Sequence, residues 1–159
     1  MNKILNIQQG IKTARELKKQ NKTIVVAGGF FDILHLGHIK FLKEAKKYAD
    51  YLFVLLEEDI KATKQKGKIR PVNSQRTRAG ILSAFEGIDY IIMLKNMTND
   101  RIYDNIMVGI RPDIIATTYK DPYVKHKIRQ AKLIQSKVVY VINRIENHST
   151  TKYIKLIKK

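Results

Sequence analysis

Apolar and polar positions along this chain fall into blocks of two periods. Residues 2–21 carry Ile4, Leu5, Ile7, Ile11, Ala14 and Leu17 at mostly helical spacing with Lys and Arg between them, which predicts an amphipathic helix. The β-branched run Thr23, Ile24, Val25, Val26 predicts a strand over 23–27. After two glycines a helical pattern runs to about residue 49, with Ile39, Phe41, Leu42 and Ala45 above Lys40, Lys43, Glu44, Lys46 and Lys47. Y-L-F-V-L-L, at 51–56, is continuously apolar, as a buried parallel strand is. The polar stretch 60–71, with its glycine and proline, predicts a mobile loop. A helix follows over 74–85 with Ile81, Leu82 and Phe85 inward, then a strand at 89–94 and a helix at 100–108. R-P-D-I-I-A leads into a short strand, with Pro112 where a missing N–H is tolerated. A basic helix at 123–135, the strand K-V-V-Y-V-I at 137–142 and a closing helix at 149–157 complete the chain.

Strands alternating with helices imply an α/β fold, a Rossmann-like, doubly wound, mainly parallel five-stranded sheet with helices on both faces. Such a sheet binds ligands beyond the carboxyl ends of its strands, at the switch in strand order. The length of 159 residues predicts one domain, 1–159, with an N-terminal helix over 1–22 and an α/β core over 23–159.

Composition narrows the classes. There is no cysteine, so disulfides and thiolate metal sites are excluded. No apolar run approaches the roughly 18 residues of a membrane span, and the N-terminus lacks the apolar core of a signal peptide. A cytoplasmic protein with no membrane partner is expected. The net charge of +17 fits a nucleic-acid binder, a protein that attracts small polyanions, or a Lys-rich composition with no partner behind it. The basic residues are dispersed rather than gathered in one arm, which argues against nucleic acid.

The chemistry concentrates at 27–42, A-G-G-F-F-D-I-L-H-L-G-H-I-K-F-L. Strand, glycine turn and helix start bring free N–H groups and a partial positive charge to one place. His35 and His38, three residues apart, face the same spot if the helix begins near Leu36. Two imidazoles with Asp32 as the lone acid make a phosphate site. At the other end, Ser149, Thr150 and Thr151 stand at a second helix start, either as plain caps or as a hydroxyl and amide cradle, with Arg144 as a forked cation nearby.

G-F-F-D-I-L-H-L-G-H resembles the HxGH signature of the cytidylyltransferase-like nucleotidyltransferases. That resemblance implies that His35 and His38 contact the triphosphate and stabilise the charge on the leaving pyrophosphate. It places Gly29, Phe30, Phe31, Asp32 and Gly37 along the nucleotide. R-I-E-N-H-S-T-T is similar to the family's R-T-E-G-I-S-T-T, departing at Ile145, Asn147 and His148. Residues 66–92 resemble the adenylyltransferase half of bifunctional heptose kinase/adenylyltransferases, which implies Lys66, Arg70 and Arg78 as phosphate-facing cations. The kinase half has no counterpart here. Where those enzymes carry K-G-G-D-Y, this chain reads A-T-T-Y-K-D-P-Y, with Lys120, Asp121 and Tyr123 as candidate acceptor-binding residues.

The implied reaction is nucleotidyl transfer from a nucleoside triphosphate, ATP favoured, to a phosphorylated small molecule such as heptose 1-phosphate. Catalysis falls to His35, His38, Lys66 and Arg144. The R-x-E-x-x-S-T-T ending is equally at home in CTP-dependent enzymes acting on glycerol 3-phosphate. Mg²⁺ is expected on the triphosphate, with no direct protein ligand. A Walker loop and a G-x-S-x-G elbow are both absent, which argues against a P-loop kinase and a serine hydrolase. HxGH also occurs in class I aminoacyl-tRNA synthetases, so a non-catalytic nucleotide- or RNA-binding module is the alternative of another class. Family relatives are often dimers, which leaves a homodimer open.

Overall fold

The computed structural model describes residues 2–143 and 149–157. Its centre is a parallel sheet in the order β1-β4-β3-β2-β5-β6. The strands are β1 (Ile4–Leu5), β2 (Ile24–Gly29), β3 (Tyr51–Leu56), β4 (Tyr90–Met93), β5 (Ile114–Thr118) and β6 (Lys137–Ile142). The helices are α1 (Ile7–Lys19), α2 (Leu36–Lys46), α3 (Asp59–Lys66), α4 (Gln75–Ser83), α5 (Asp100–Ile110), α6 (Val124–Ile134) and α7 (Thr150–Ile157).

Side chains alternate across the sheet, and each face has its own core. Ile24, Val26, Phe53, Leu55, Ile92 and Ile115 pack with Ala14 and Leu17 of α1, Ile106 and Ile110 of α5, and Ala131 and Ile134 of α6. Val25, Ala27, Leu52, Val54 and Leu56 pack with Phe41, Leu42 and Ala45 of α2 and with Ala79 and Leu82 of α4. Period-two strands between period-3.6 helices therefore bury both sheet faces.

Three expectations are corrected. The sheet has six strands rather than five, because Ile4 and Leu5 are not helical. They pair with Ile91 and Ile92 of β4. Asn6 starts α1 instead: its side chain accepts from the Gln9 amide, and the Gln9 side chain accepts from the Asn6 amide. That capping box overrides the helical spacing upstream. The expected loop at 60–71 is largely helix, α3, with Asp59 in its first turn and Lys64 and Lys66 in its last, charges that complement the helix dipole. Lys61 also reaches back 2.8 Å to Glu57. Thirdly, Ile81 is 45% exposed, and Arg78 turns inward beside Gln75, Ala79 and Leu82. Ile39 of α2 is likewise exposed.

β2 lies between β3 and β5, and the chain moves outward from it in both directions. The switch point is thus the carboxyl end of β2 beside β5, where a doubly wound sheet opens a crevice. At the opposite end Asp113 accepts from the Ile24 amide at 2.7 Å and pairs with Lys18 at 2.6 Å, fixing where β2 begins. Asp113→Ala leaves that amide without its acceptor and should lower stability by about 1–3 kcal/mol, read as a shift of the urea midpoint at unchanged m.

Candidate active site at the switch point

Gly28 and Gly29 are not a turn but the last two residues of β2, paired with Leu55 and Leu56. The turn is 30–35, and it is shaped by Phe31, whose backbone is left-handed at φ 46° and whose ring is buried. A Cβ on Gly29 would lie 2.9 Å from that ring, so a side chain there would push the buried ring aside. Phe31 therefore does not line open space. Its ring tilts against His38 with centroids 5.2 Å apart and backs the imidazole.

His35 is the N-cap of α2 in extended conformation, its carbonyl accepting from the Ile39 amide at 3.1 Å. His38 stands one turn in, and Gly37 lies between them in the first turn. The two imidazoles stack at 3.8 Å between centroids with 24° between planes. Burial first, then the neighbouring His35, hold the His38 pKa down to about 3, against weaker opposing effects of the Ile33 carbonyl and Asp32. At neutral pH His38 is an uncharged imidazole beside the amides of a helix start.

The second helix start sits against the first. Thr150 is buried and its hydroxyl donates to the Ile33 carbonyl at 3.4 Å, while the Tyr153 ring lies 6.0 Å from that of His35. Ser149 does the capping: its hydroxyl accepts from the Lys152 amide at 3.3 Å and its carbonyl from the Tyr153 amide at 3.1 Å. Thr151 is exposed. The two motifs at opposite ends of the sequence thus meet at Ile33. Arg144 lies outside the described residues.

The expectation that Arg78 faces phosphate is corrected by burial. The Arg78 side chain has no exposed surface, and all of its nitrogens face protein acceptors. Nε donates to the Asn73 carbonyl at 3.0 Å, Nη1 to the Phe30 carbonyl, and Nη2 to the Glu57 carbonyl at 2.9 Å and the Asp59 carboxylate at 2.6 Å. Arg70 Nε donates to Asp32 at 2.8 Å, and both side chains are buried. Asp32 also accepts from the Val72 amide at 3.0 Å and the Asn73 amide at 2.9 Å, so it is not open to a metal. Arg78 and Asp32 brace the crevice from beneath, and Arg70 is tied to Asp32 through its Nε. Lys66, at the exposed end of α3, keeps its expected accessibility.

Gln75 was not anticipated as a site residue. It is buried, and its amide donates to the Leu56 carbonyl at 2.9 Å and the Leu94 carbonyl at 2.8 Å, closing the carboxyl ends of β3 and β4. The only signal in the sequence was a polar residue on the inward face of a helix. Of the acceptor candidates, Lys120 is exposed with left-handed backbone at φ 62°, and the Tyr123 hydroxyl donates to Gln65 of α3 at 3.3 Å. Asp121 is corrected: its carboxylate faces inward to Thr117 and Lys127.

The model of the cytidylyltransferase-like family matches residues 26–156. The chain belongs to the cytidylyltransferase-like family. With that membership comes the enzyme class, nucleotidyltransferase. It is 37% identical over 158 residues to the bifunctional protein HldE of Campylobacter jejuni subsp. doylei, covering 97% of this chain and 32% of the relative. The HldE protein of Wolinella succinogenes is 34% identical, over 92% of this chain and 29% of the relative. The chain spans about a third of the length of these curated relatives. Among solved structures, a lipopolysaccharide core biosynthesis protein from Thermoplasma volcanium GSS1 is 30% identical with a TM-score of 0.59, covering 80% of this chain and 99% of that one. A pantoate-beta-alanine ligase from Francisella tularensis shares the fold at 16% identity and a TM-score of 0.67, over 98% of this chain and 76% of that one. No helix among the described residues is long and apolar enough to cross a membrane.

For a family that handles triphosphates, the division between buried and exposed cations has consequences. Arg78→Met should destabilise by about 3–5 kcal/mol, because Asp59 loses its partner and three carbonyls lose their donors; Arg78→Lys should restore little, read by denaturant titration. His38 generates a pH dependence. The unfolded imidazole takes up a proton near pH 6.5 that the folded one refuses until about pH 3, so this contribution to stability is lost as pH falls through that window. The drop in melting temperature from pH 7 to pH 4.5 should be smaller in His38→Gln than in the wild type.

Proposed function

We propose that this domain transfers a nucleoside monophosphate, AMP by preference, from a nucleoside triphosphate to a sugar phosphate such as heptose 1-phosphate, releasing pyrophosphate. The observation that carries the reading is the meeting of two helix starts at Ile33. One brings the stacked His35 and His38, the other Ser149, Thr150 and Thr151. Two helix N-termini on one spot suit the successive phosphates of a triphosphate. The HldE relatives and the lipopolysaccharide core biosynthesis protein support a sugar phosphate as acceptor, and the resemblance of residues 66–92 to the adenylyltransferase half supports ATP.

In the reaction an acceptor phosphate oxygen attacks the α-phosphorus, a new O–P bond forms, and the bond to the bridging oxygen breaks with its electrons leaving on pyrophosphate. A phosphate monoester is already largely ionised at neutral pH, so neither a strong general base nor an enzyme nucleophile is needed. The protein positions two polyanions in line and stabilises charge on the transferring group. Neutral His38 donates an N–H there, and Lys66 and Lys120 supply exposed ammonium groups. Among the described residues no three His, Asp or Glu side chains converge on a common point. Mg²⁺ enters with the triphosphate as part of the substrate.

A second reading, transfer of CMP to glycerol 3-phosphate or a similar polyol phosphate, is favoured by the R-x-E-x-x-S-T-T ending. Pyrophosphate release with each of ATP, CTP, GTP and UTP against heptose 1-phosphate, glycerol 3-phosphate, phosphopantetheine and other sugar 1-phosphates separates the two. ATP with a sugar phosphate is the expected pair. Nucleotide binding without release in any pair would reject these acceptors. Absence of nucleotide binding, with salt-dependent RNA binding, would reject transfer altogether. With the active pair, His38→Ala should lower kcat by about a hundredfold with little change in KM, as loss of a transition-state donor does.

A further inference from the structure

The loop joining β5 to α6 departs from the heptose enzymes in sequence, yet it is tied down by a polar ring of buried Thr117 with half-buried Asp121 and Lys127. Thr117, with no exposed surface, donates to Asp121 Oδ2 at 2.6 Å. Lys127 of α6 lies 2.8 Å from the same oxygen and 3.2 Å from the Thr117 hydroxyl. Asp121 Oδ1 accepts from the Tyr123 amide at 2.9 Å, and the Asp121 amide donates to the Thr118 carbonyl at 3.3 Å. Each member bonds the other two, so the loop has one arrangement. Burial pulls the Asp121 carboxyl up, but Lys127, Thr117 and the Tyr123 amide together hold it below the ordinary carboxylate value, so the ring is ionised at neutral pH.

What the ring holds out is chemically specific. Tyr119 is 51% exposed and stacks on Tyr140 at 4.9 Å, and Lys120 is exposed with left-handed backbone. Tyr123 reaches Gln65 at the far end of α3. Since β2 lies between β3, which leads into α3, and β5, which leads into this loop, that hydrogen bond spans the crevice above the end of β2. The helix starts of α2 and α7 mark the triphosphate side of the crevice, which leaves the spanning loop for the acceptor.

We infer that Asp121 and Lys127 are positioning residues for the acceptor, acting through Thr117 to hold the 118–123 loop so that Tyr119 and Lys120 meet a phosphorylated sugar. The inference rests on the transferase reading above. A half-buried ion pair adds little net stability, but it fixes geometry, and a rigid loop carrying an aromatic face and a cation selects a ligand where a mobile one would not. Tyr119 offers its ring to the C–H face of a sugar, and Lys120 its charge to the phosphate.

The test is steady-state pyrophosphate release by wild type, Lys127→Met, Lys127→Arg and Thr117→Val with the pair that the panel identifies. Lys127→Met should raise the KM for the acceptor roughly tenfold or more while the KM for the nucleotide stays within about twofold, the pattern of lost acceptor binding. Lys127→Arg should recover much of the loss. Thr117→Val, nearly isosteric, should shift the acceptor KM in the same direction even if Lys127→Met fails to fold. Unchanged acceptor KM in both variants, or nucleotide and acceptor KM rising together as melting temperature falls, would overturn the inference. No release by the wild type with any acceptor would instead reject the transferase reading, and this inference with it.

Discussion

A guanidinium with no access to water organises this site. Removing the charge of Arg78 from solvent is expensive, and the cost is offset only because three backbone carbonyls and one carboxylate close around it. Those acceptors belong to three segments: Phe30 after β2, Glu57 and Asp59 after β3, and Asn73 before α4. Each segment can move only by leaving an acceptor or a donor unpaired in a low-dielectric interior, which is why the crevice floor has one shape.

The Asp32–Arg70 pair extends the same logic. With Asp32 taken by Arg70 and two amides, the carboxylate nearest the histidines is neutralised from below. His38 is uncharged at neutral pH and keeps a single N–H, so the charge-accepting capacity of the site is carried by helix-start amides, imidazole N–H groups and exposed lysines. Such a surface is preorganised for a polyanion: its dipoles are fixed before the ligand arrives and need little reorganisation when charge moves.

The sequence was most informative where a single period ruled. The strands at 51–56 and 137–142 appear at the residues expected, because continuous apolar runs have one good place in a parallel sheet. The helix starts at His35 and at Ser149–Thr151 were legible as well, since a chain leaving a strand and a run of hydroxyl residues mark a helix start locally. The errors came from long-range partners. Ile4 and Leu5 look helical until β4 is there to pair with them, and residues 60–66 look like a loop until Glu57 anchors Lys61. The arginines mislead most. A motif tells that a cation is needed near phosphates, but whether it faces the ligand or braces the loop beneath depends on carbonyls tens of residues away.

That distinction bears on the +17 charge. Exposed lysines such as Lys66 and Lys120 raise the local concentration of anions, an effect that salt screens. Arg70, Arg78 and Lys127 are held in buried or half-buried pairs and contribute mainly geometry. The two roles respond differently to substitution. An exposed lysine can be exchanged for arginine with the field largely kept, whereas the fork of Arg78 has four acceptors at fixed angles that an ammonium cannot match. The same composition thus encodes both an attraction that many sequences could supply and a framework that few could. A framework of this kind favours selectivity, because an anion drawn in by charge is retained only if it fits donors that cannot move to meet it.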